Sequence, residues 1–136
     1  MKKNKNLIKA EIICFFLTLI YPMFMVIMAG LGLIYNNYNK FLLLCGVFWI
    51  FSGVLITTGT LLCIFNKSIL SIINSSTGLL ICITVLYLVM NYADNSGWTD
   101  PYTLNPTSSM YFSRIIPVVF PAMGNILISV IKIWKN

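Results

Sequence analysis

The sequence has no histidine and only three acidic residues, so the side chains that most often carry catalysis are almost missing. Histidine is the usual general base and metal ligand near neutral pH. The acidic residues are Glu11, Asp94 and Asp100, and none lies in the middle of an apolar run. These absences predict a protein that is not an enzyme and that holds no metal ion or cofactor.

Charge of either sign is scarce. Charged residues make up 9% of the 136 residues, whereas a soluble domain has about a quarter. Four apolar runs fill most of the chain, at residues 12–34, 41–65, 69–90 and 115–134. About 20 such residues cross a bilayer as a helix, so the chain is predicted to be an integral membrane protein. We expect Lys132, inside the last run, to snorkel towards water and Glu11 to reach water beside Lys9.

The basic residues are distributed unevenly among the connections between the runs. One set comprises Lys2, Lys3, Lys5, Lys9, Lys67, Lys132 and Lys135, and the other comprises Lys40 and Arg114. The positive-inside rule then predicts that both termini are cytoplasmic and that the connections 35–40 and 91–114 face outward. The net charge of +6 does not indicate nucleic-acid binding, because the basic residues form no single patch.

The connections between the runs differ in length. Residues 35–40 and 66–68 are short, which predicts antiparallel neighbouring helices, whereas residues 91–114 form one long outer loop between the third and fourth helices. We therefore predict an all-α, four-helix (tetraspan) bundle with both termini inside. Residues 1–136 form a single domain in the cell membrane, with spans at 12–34, 41–65, 69–90 and 115–134.

Cysteine is missing from every predicted connection. The four cysteines are Cys14, Cys45, Cys63 and Cys82, and all lie within apolar runs. The outer loop has none, so a disulfide framework is not predicted.

Small and polar residues recur at helical spacing within the spans, which favours close packing between helices in lipid. Given the predicted orientation, eight of them fall in the cytoplasmic half of the membrane: Thr18, Thr57, Thr60, Asn74, Ser75, Thr77, Asn125 and Ser129. The simpler interpretation is that they form hydrogen bonds between helices. The alternative is a polar cavity that opens to the cytoplasm.

The long outer loop is rich in aromatic and charged residues. Its candidate contacts with a partner protein are Tyr92, Asp94, Trp98, Asp100, Tyr102 and Arg114, because Trp, Tyr and Arg are frequent anchors of interfaces. The alternative is an aromatic belt lying at the membrane surface. The spacing of the two aspartates fits no known calcium loop.

Two functions are compatible with this pattern. The first is a small non-enzymatic membrane protein that associates with itself or with a membrane partner, such as an accessory, assembly or immunity-type subunit. The second is a homo-oligomeric pore or channel, either holin-like or a defence effector, whose small-residue stripes line a path between subunits.

Overall fold

The computed structural model describes the backbone of residues 5–19, 31, 40–96 and 107–135, and the side chains of these residues except 18, 19 and 107–117. Within these ranges there are four helices: α1 Lys5–Leu19, α2 Lys40–Ile64, α3 Ser68–Asn95 and α4 Thr107–Lys135. The predicted all-α class is confirmed for this part of the chain.

Three of the helices in the described ranges are long and apolar enough to cross a membrane. They are α2, α3 and Val118–Lys135 within α4. At about 1.5 Å per residue, the 25 residues of α2 extend about 37 Å, which exceeds a hydrocarbon core of about 30 Å. The chain therefore has the helix lengths and composition of a membrane protein. Of the first predicted span, 12–34, only the beginning in α1 and residue 31 are described.

The helices are longer than the apolar runs that predicted them. α3 continues past Met90 to Asn95, and α4 begins at Thr107 rather than at residue 115. Helical segments therefore occupy both ends of the range 91–114 that was predicted as a loop. The physical reason is that hydropathy reports where lipid contact ends, whereas helical hydrogen bonding continues into the polar residues beyond it.

The connection between α2 and α3 is a tight turn with a defined helix end. Asn66 has φ of 62°, a left-handed conformation that asparagine tolerates better than most residues. The Lys67 N–H donates to the Leu62 carbonyl (2.9 Å), and the Asn66 N–H donates to the Cys63 carbonyl (3.1 Å). This pair of bonds is a Schellman motif, and it reverses the chain so that α3 packs back along α2.

The helices form a four-cornered arrangement. α2 and α3 pack extensively, as do α3 and α4, while α1 contacts α2 and α4. Within the described residues α1 and α3 do not contact each other, whereas α2 and α4 do. α1 and α3 therefore lie at opposite corners of the bundle. α2 and α4 occupy the other two corners and contact each other across its centre.

The interior and the outer surface differ in how their residues are packed. The buried core of α2, α3 and α4 comprises Leu42, Cys45, Trp49, Ile56, Cys82, Val85, Leu86, Val89, Val118 and Ala122. Large apolar side chains also cover the outside, including Leu80 (66% exposed) and Phe120 (70% exposed). An apolar exterior of this extent is suited to lipid and not to water.

Gly59 of α2 and Gly78 of α3 lie where the two helices leave no room for a side chain. A Cβ atom at Gly78 would lie 2.9 Å from the Ser52 carbonyl oxygen and 2.8 Å from Cγ1 of Ile56. At Gly59 it would lie 2.3 Å from the Ser75 hydroxyl. The absence of side chains here lets the two backbones come together, as small residues do in other membrane helix pairs.

Candidate functional site: a buried polar core

Buried polar side chains concentrate towards one end of the bundle, the end that holds the α2–α3 turn at Asn66 and Lys67, here called the turn end. The start of α1 and the end of α4 also lie there, because Glu11 of α1 contacts Lys132 of α4. Towards the opposite end the described core is apolar, with Leu42, Val89 and other aliphatic side chains.

Asn125 of α4 joins three helices. Its side chain is 1% exposed, and its Nδ2 donates to Thr60 Oγ1 of α2 (2.8 Å) and to Ser75 Oγ of α3 (3.3 Å). The Thr60 hydroxyl lies 3.2 Å from the Ile56 carbonyl and 3.1 Å from Asn125 Oδ1, so it has an acceptor in either direction. We call Thr60, Ser75 and Asn125 the asparagine cluster. A buried amide is costly in an apolar environment unless it is bonded in this way.

An ion pair lies further towards the turn end, seven residues along α4 from Asn125. Glu11 is 3% exposed and Lys132 is 7% exposed. The Lys132 ammonium pairs with Glu11 Oε1 and also donates to the Cys63 carbonyl. Ser129 Oγ lies 3.4 Å from Cys63 Sγ, in hydrogen-bonding contact. We call Glu11, Cys63, Ser129 and Lys132 the ion-pair cluster.

The position of Lys132 is favourable for a second reason. Cys63 is in the last turn of α2, where backbone carbonyls have no partner within the helix and carry partial negative charge. Lys132 supplies a cation at this helix end while Glu11 balances its charge. The ion-pair cluster thus connects the start of α1, the end of α2 and the end of α4 in one set of contacts.

Two expectations for these charged residues are wrong. Glu11 does not reach water beside Lys9, and Lys132 does not snorkel, because each is buried against the other. The reason is tertiary: the first and last helices meet at the turn end, so each charge finds its counter-charge inside the bundle. A buried pair in low dielectric is tolerated when its geometry and extra hydrogen bonds offset the loss of hydration.

Further hydrogen bonds hold α2 against α3. Ser71 Oγ donates to the Gly59 carbonyl across the helix pair (2.7 Å), next to the close approach at Gly59. Ser52, which is fully buried, donates to the Trp49 carbonyl of its own helix (2.6 Å). Short hydroxyl side chains can therefore be buried in lipid-spanning helices without unmet donors.

The structure brings together only part of the predicted inner-half set. Thr60, Ser75 and Asn125 form the asparagine cluster and Ser129 belongs to the ion-pair cluster. Thr57 is buried but bonds its own helix at Gly53 (2.8 Å). Asn74 and Thr77 are separate from these clusters. Asn74 is half-buried and bonds Thr58 (3.1 Å), Thr77 is exposed, and the Thr18 side chain lies outside the described residues.

The predicted outer-loop contacts are described in part. Tyr92 is half-buried, and its ring centroid lies 5.6 Å from that of Phe41 at an angle of 33°. Asp94 is exposed at the end of α3. Trp98, Asp100, Tyr102 and the Arg114 side chain lie outside the described residues. Among the side chains that are described, no three of the types His, Cys, Asp or Glu are grouped as metal ligands.

A sequence signal for the ion-pair cluster was present but incomplete. Asn125, Ser129 and Lys132 follow each other at steps of four and three, which places them on one face of α4. This face leads from the asparagine cluster directly to Lys132. Nothing in the spacing identifies Glu11, more than 100 residues away, as the partner.

Comparison with known protein families, with curated proteins and with solved structures finds no match for this chain. The functional argument therefore depends on the geometry of the polar core and of the outer surface.

Proposed function

We propose that this chain is a four-span, non-enzymatic protein of the cell membrane that acts by associating with itself or with a membrane partner. The proposal depends on one observation: the described polar side chains of the core form hydrogen bonds or an ion pair within the chain. Asn125, Thr60, Ser75, Glu11 and Lys132 all have partners within the chain. Because the buried polar side chains bond to one another, the outer surface is the part of the molecule that is available to bind another protein.

The same observation argues against a pore. In the pore hypothesis the small and polar stripes line a path between copies, but in α2, α3 and α4 they are buried within one chain. A path along the bundle axis would also have to pass the apolar core around Leu42, Val85 and Val89. Both features favour association over conduction.

The proposed orientation has both termini in the cytoplasm. It is supported by the Glu11–Lys132 contact, because the start of α1 and the end of α4 meet at the turn end. It is also supported by charge, because Lys5, Lys9, Lys67 and Lys135 belong to the helix ends and the turn on this side, as the positive-inside rule requires of a cytoplasmic face.

Association can be tested by native mass spectrometry of the chain purified in lipid nanodiscs, together with current recordings in planar bilayers. We expect a defined complex, of copies of the chain or with a second membrane protein, and no current. In the second case Trp98→Ala and Tyr102→Ala are expected to release the partner while the thermal midpoint stays unchanged. A lone monomer without a partner would overturn the proposal. A current that Asn125→Leu abolishes would establish the pore instead.

The orientation can be tested with two cysteine variants at exposed positions on opposite ends of α3, Asn95→Cys and Lys67→Cys. We expect a membrane-impermeant maleimide to label Asn95→Cys in intact cells and Lys67→Cys only after the cells are opened. The wild-type chain is the control, since Cys45, Cys63 and Cys82 are buried and Cys14 is half-buried. The reverse pattern would invert the orientation, and equal labelling would mean that α3 does not cross.

A further inference from the structure

One face of α3 lies beside the groove between α2 and α3, is only partly covered by the rest of the bundle, and carries a regular pattern. Leu70, Asn74, Thr77, Ile81, Thr84 and Leu88 follow each other at steps of four and three, and we call them the α3 outer face. All six are exposed or half-buried, whereas the buried residues of α3 lie on another side, at Ser71, Ser75, Gly78 and Cys82. A repeat of this kind is the seam along which two helices pack at a shallow left-handed angle.

Asn74 is the exceptional residue of this face. Its Nδ2 donates to Thr58 Oγ1 (3.1 Å), and the Thr58 hydroxyl donates in turn to the Leu55 carbonyl (2.9 Å). Within the described part of the chain this is the one hydrogen bond of the Asn74 side chain, so its second N–H and its carbonyl oxygen are without partners there. Asparagine offers two donors and two acceptor sites.

The depth of Asn74 makes these groups significant. At about 1.5 Å per residue, Asn74 lies about 8 Å from the middle of the 69–90 span, inside a hydrocarbon half-thickness of about 15 Å. Polar groups without partners at this depth are unfavourable, and a neighbouring helix can supply the partners. The residues of the α3 outer face are therefore spaced as in a helix–helix interface, and a further helix would supply hydrogen-bond partners for Asn74.

We infer that two copies of the chain associate through the α3 outer face, with their two Asn74 side chains hydrogen-bonded to each other. An amide is self-complementary, because the N–H of each copy can donate to the Oδ1 of the other. Two copies inserted in the same orientation are related by a two-fold axis along the membrane normal, which sets both Asn74 residues at equal depth. An unrelated partner would need its own polar residue at that depth.

The surroundings of Asn74 accommodate such a pairing. Thr77 and Thr84 are exposed on the same face, and the Thr84 hydroxyl is bonded to the Leu80 carbonyl of its own helix, so it presents its methyl group without an unmet donor. Ile81, Thr84 and Leu88 of this face also line an apolar groove of about 340 Å³ between α2 and α3. A single asparagine in an otherwise apolar seam fixes register and copy number.

This inference rests on the proposed function, of which it specifies the partner and the surface. The test is the dimer dissociation constant in nanodiscs or mild detergent, measured by energy transfer between two labelled populations at increasing dilution. Asn74→Leu is expected to raise the constant by about tenfold or more, given the strength of hydrogen bonds between membrane helices. Asn74→Gln keeps the donor and acceptor and is expected to retain the dimer better than Asn74→Leu. Ile83→Ala, exposed on another side of α3, is the matched control and is expected to leave it unchanged.

A cross-linking measurement tests the geometry even if Asn74→Leu folds poorly. Under mild oxidation Thr77→Cys is expected to form a disulfide-linked dimer and Ile83→Cys is not, with the wild-type chain giving the background from its four native cysteines. A dimer that survives Asn74→Leu and cross-links at Ile83→Cys would overturn this interface but leave the proposed function standing. A monomer bound to a different membrane protein would do the same. A monomer that binds nothing would overturn both.

Discussion

Replacing Lys132 with methionine is expected to lower the free energy of unfolding by about 3–5 kcal/mol, the usual cost of removing one partner from a buried ion pair. Glu11 would keep its carboxylate at a position that is 3% exposed, with its counter-charge gone. The Cys63 carbonyl would lose one donor but keep the Asn66 N–H (3.1 Å), so the main loss is electrostatic. Thermal or urea unfolding in mild detergent, followed by tryptophan fluorescence, to which the buried Trp49 contributes, measures the change.

The double variant Glu11→Leu with Lys132→Met is the decisive control. Because replacing a whole buried pair by apolar side chains is often neutral or stabilising, we expect it to recover most of the stability lost in Lys132→Met. A double variant as unstable as the single one would mean that shape and not charge matters at this position. Full stability of Lys132→Met alone would mean that Glu11 and Lys132 do not interact in the membrane.

The helices could be predicted from the sequence because lipid imposes a simple rule on them. A segment that crosses hydrocarbon must be helical and apolar over about 20 residues, so the runs 41–65 and 69–90 predict α2 and the central part of α3 directly. The helix ends could not be predicted in the same way. Asn95 and Thr107 are polar residues at the ends of α3 and α4, and hydropathy cannot distinguish a polar helical turn from a loop.

The polar core could be predicted only where polar residues recur at helical steps along one helix and so share one face. The steps between Asn125 and Ser129 correctly place both on a buried face. Grouping by depth, in contrast, placed Asn74 and Thr77 in one set with Ser75, although these neighbours point in different directions and only Ser75 enters the asparagine cluster. Depth in the membrane is a single coordinate, whereas a hydrogen bond also depends on which side of the helix a residue occupies.

The Glu11–Lys132 pair could not be predicted, because the sequence does not show which helices become neighbours in the bundle. Depth alone assigned each charge to the nearest water, which is the correct default for an isolated helix end. Which helices become neighbours is a property of the folded bundle. The contact of α1 with α4 provides an internal partner for each charge, and that contact has no counterpart in local spacing.

Replacing Gly78 with alanine is expected to destabilise the bundle by about 1–3 kcal/mol, as overpacking of a tight interior does. The added methyl group would lie 2.9 Å from the Ser52 carbonyl oxygen, a backbone atom, and 2.8 Å from Cγ1 of Ile56. Relief therefore requires α2 and α3 to separate along their largest interface. The same fluorescence-detected unfolding measures the loss.

Gly124→Ala is the matched control, because both glycines lie inside helices and gain the same helix propensity on becoming alanine. Among the described residues, the methyl group added at Gly124 would meet only Cys14 Sγ, at 2.8 Å, and a side-chain atom can rotate away. We expect this variant to be at least as stable as the wild type, or nearly so. If the two alanine variants lose the same stability, the α2–α3 crossing is no tighter than the α1–α4 contact. If only Gly78→Ala is destabilised, the crossing of α2 and α3 is too tight to admit a methyl group, and this close approach also sets which residues of α3 are left uncovered beside α2.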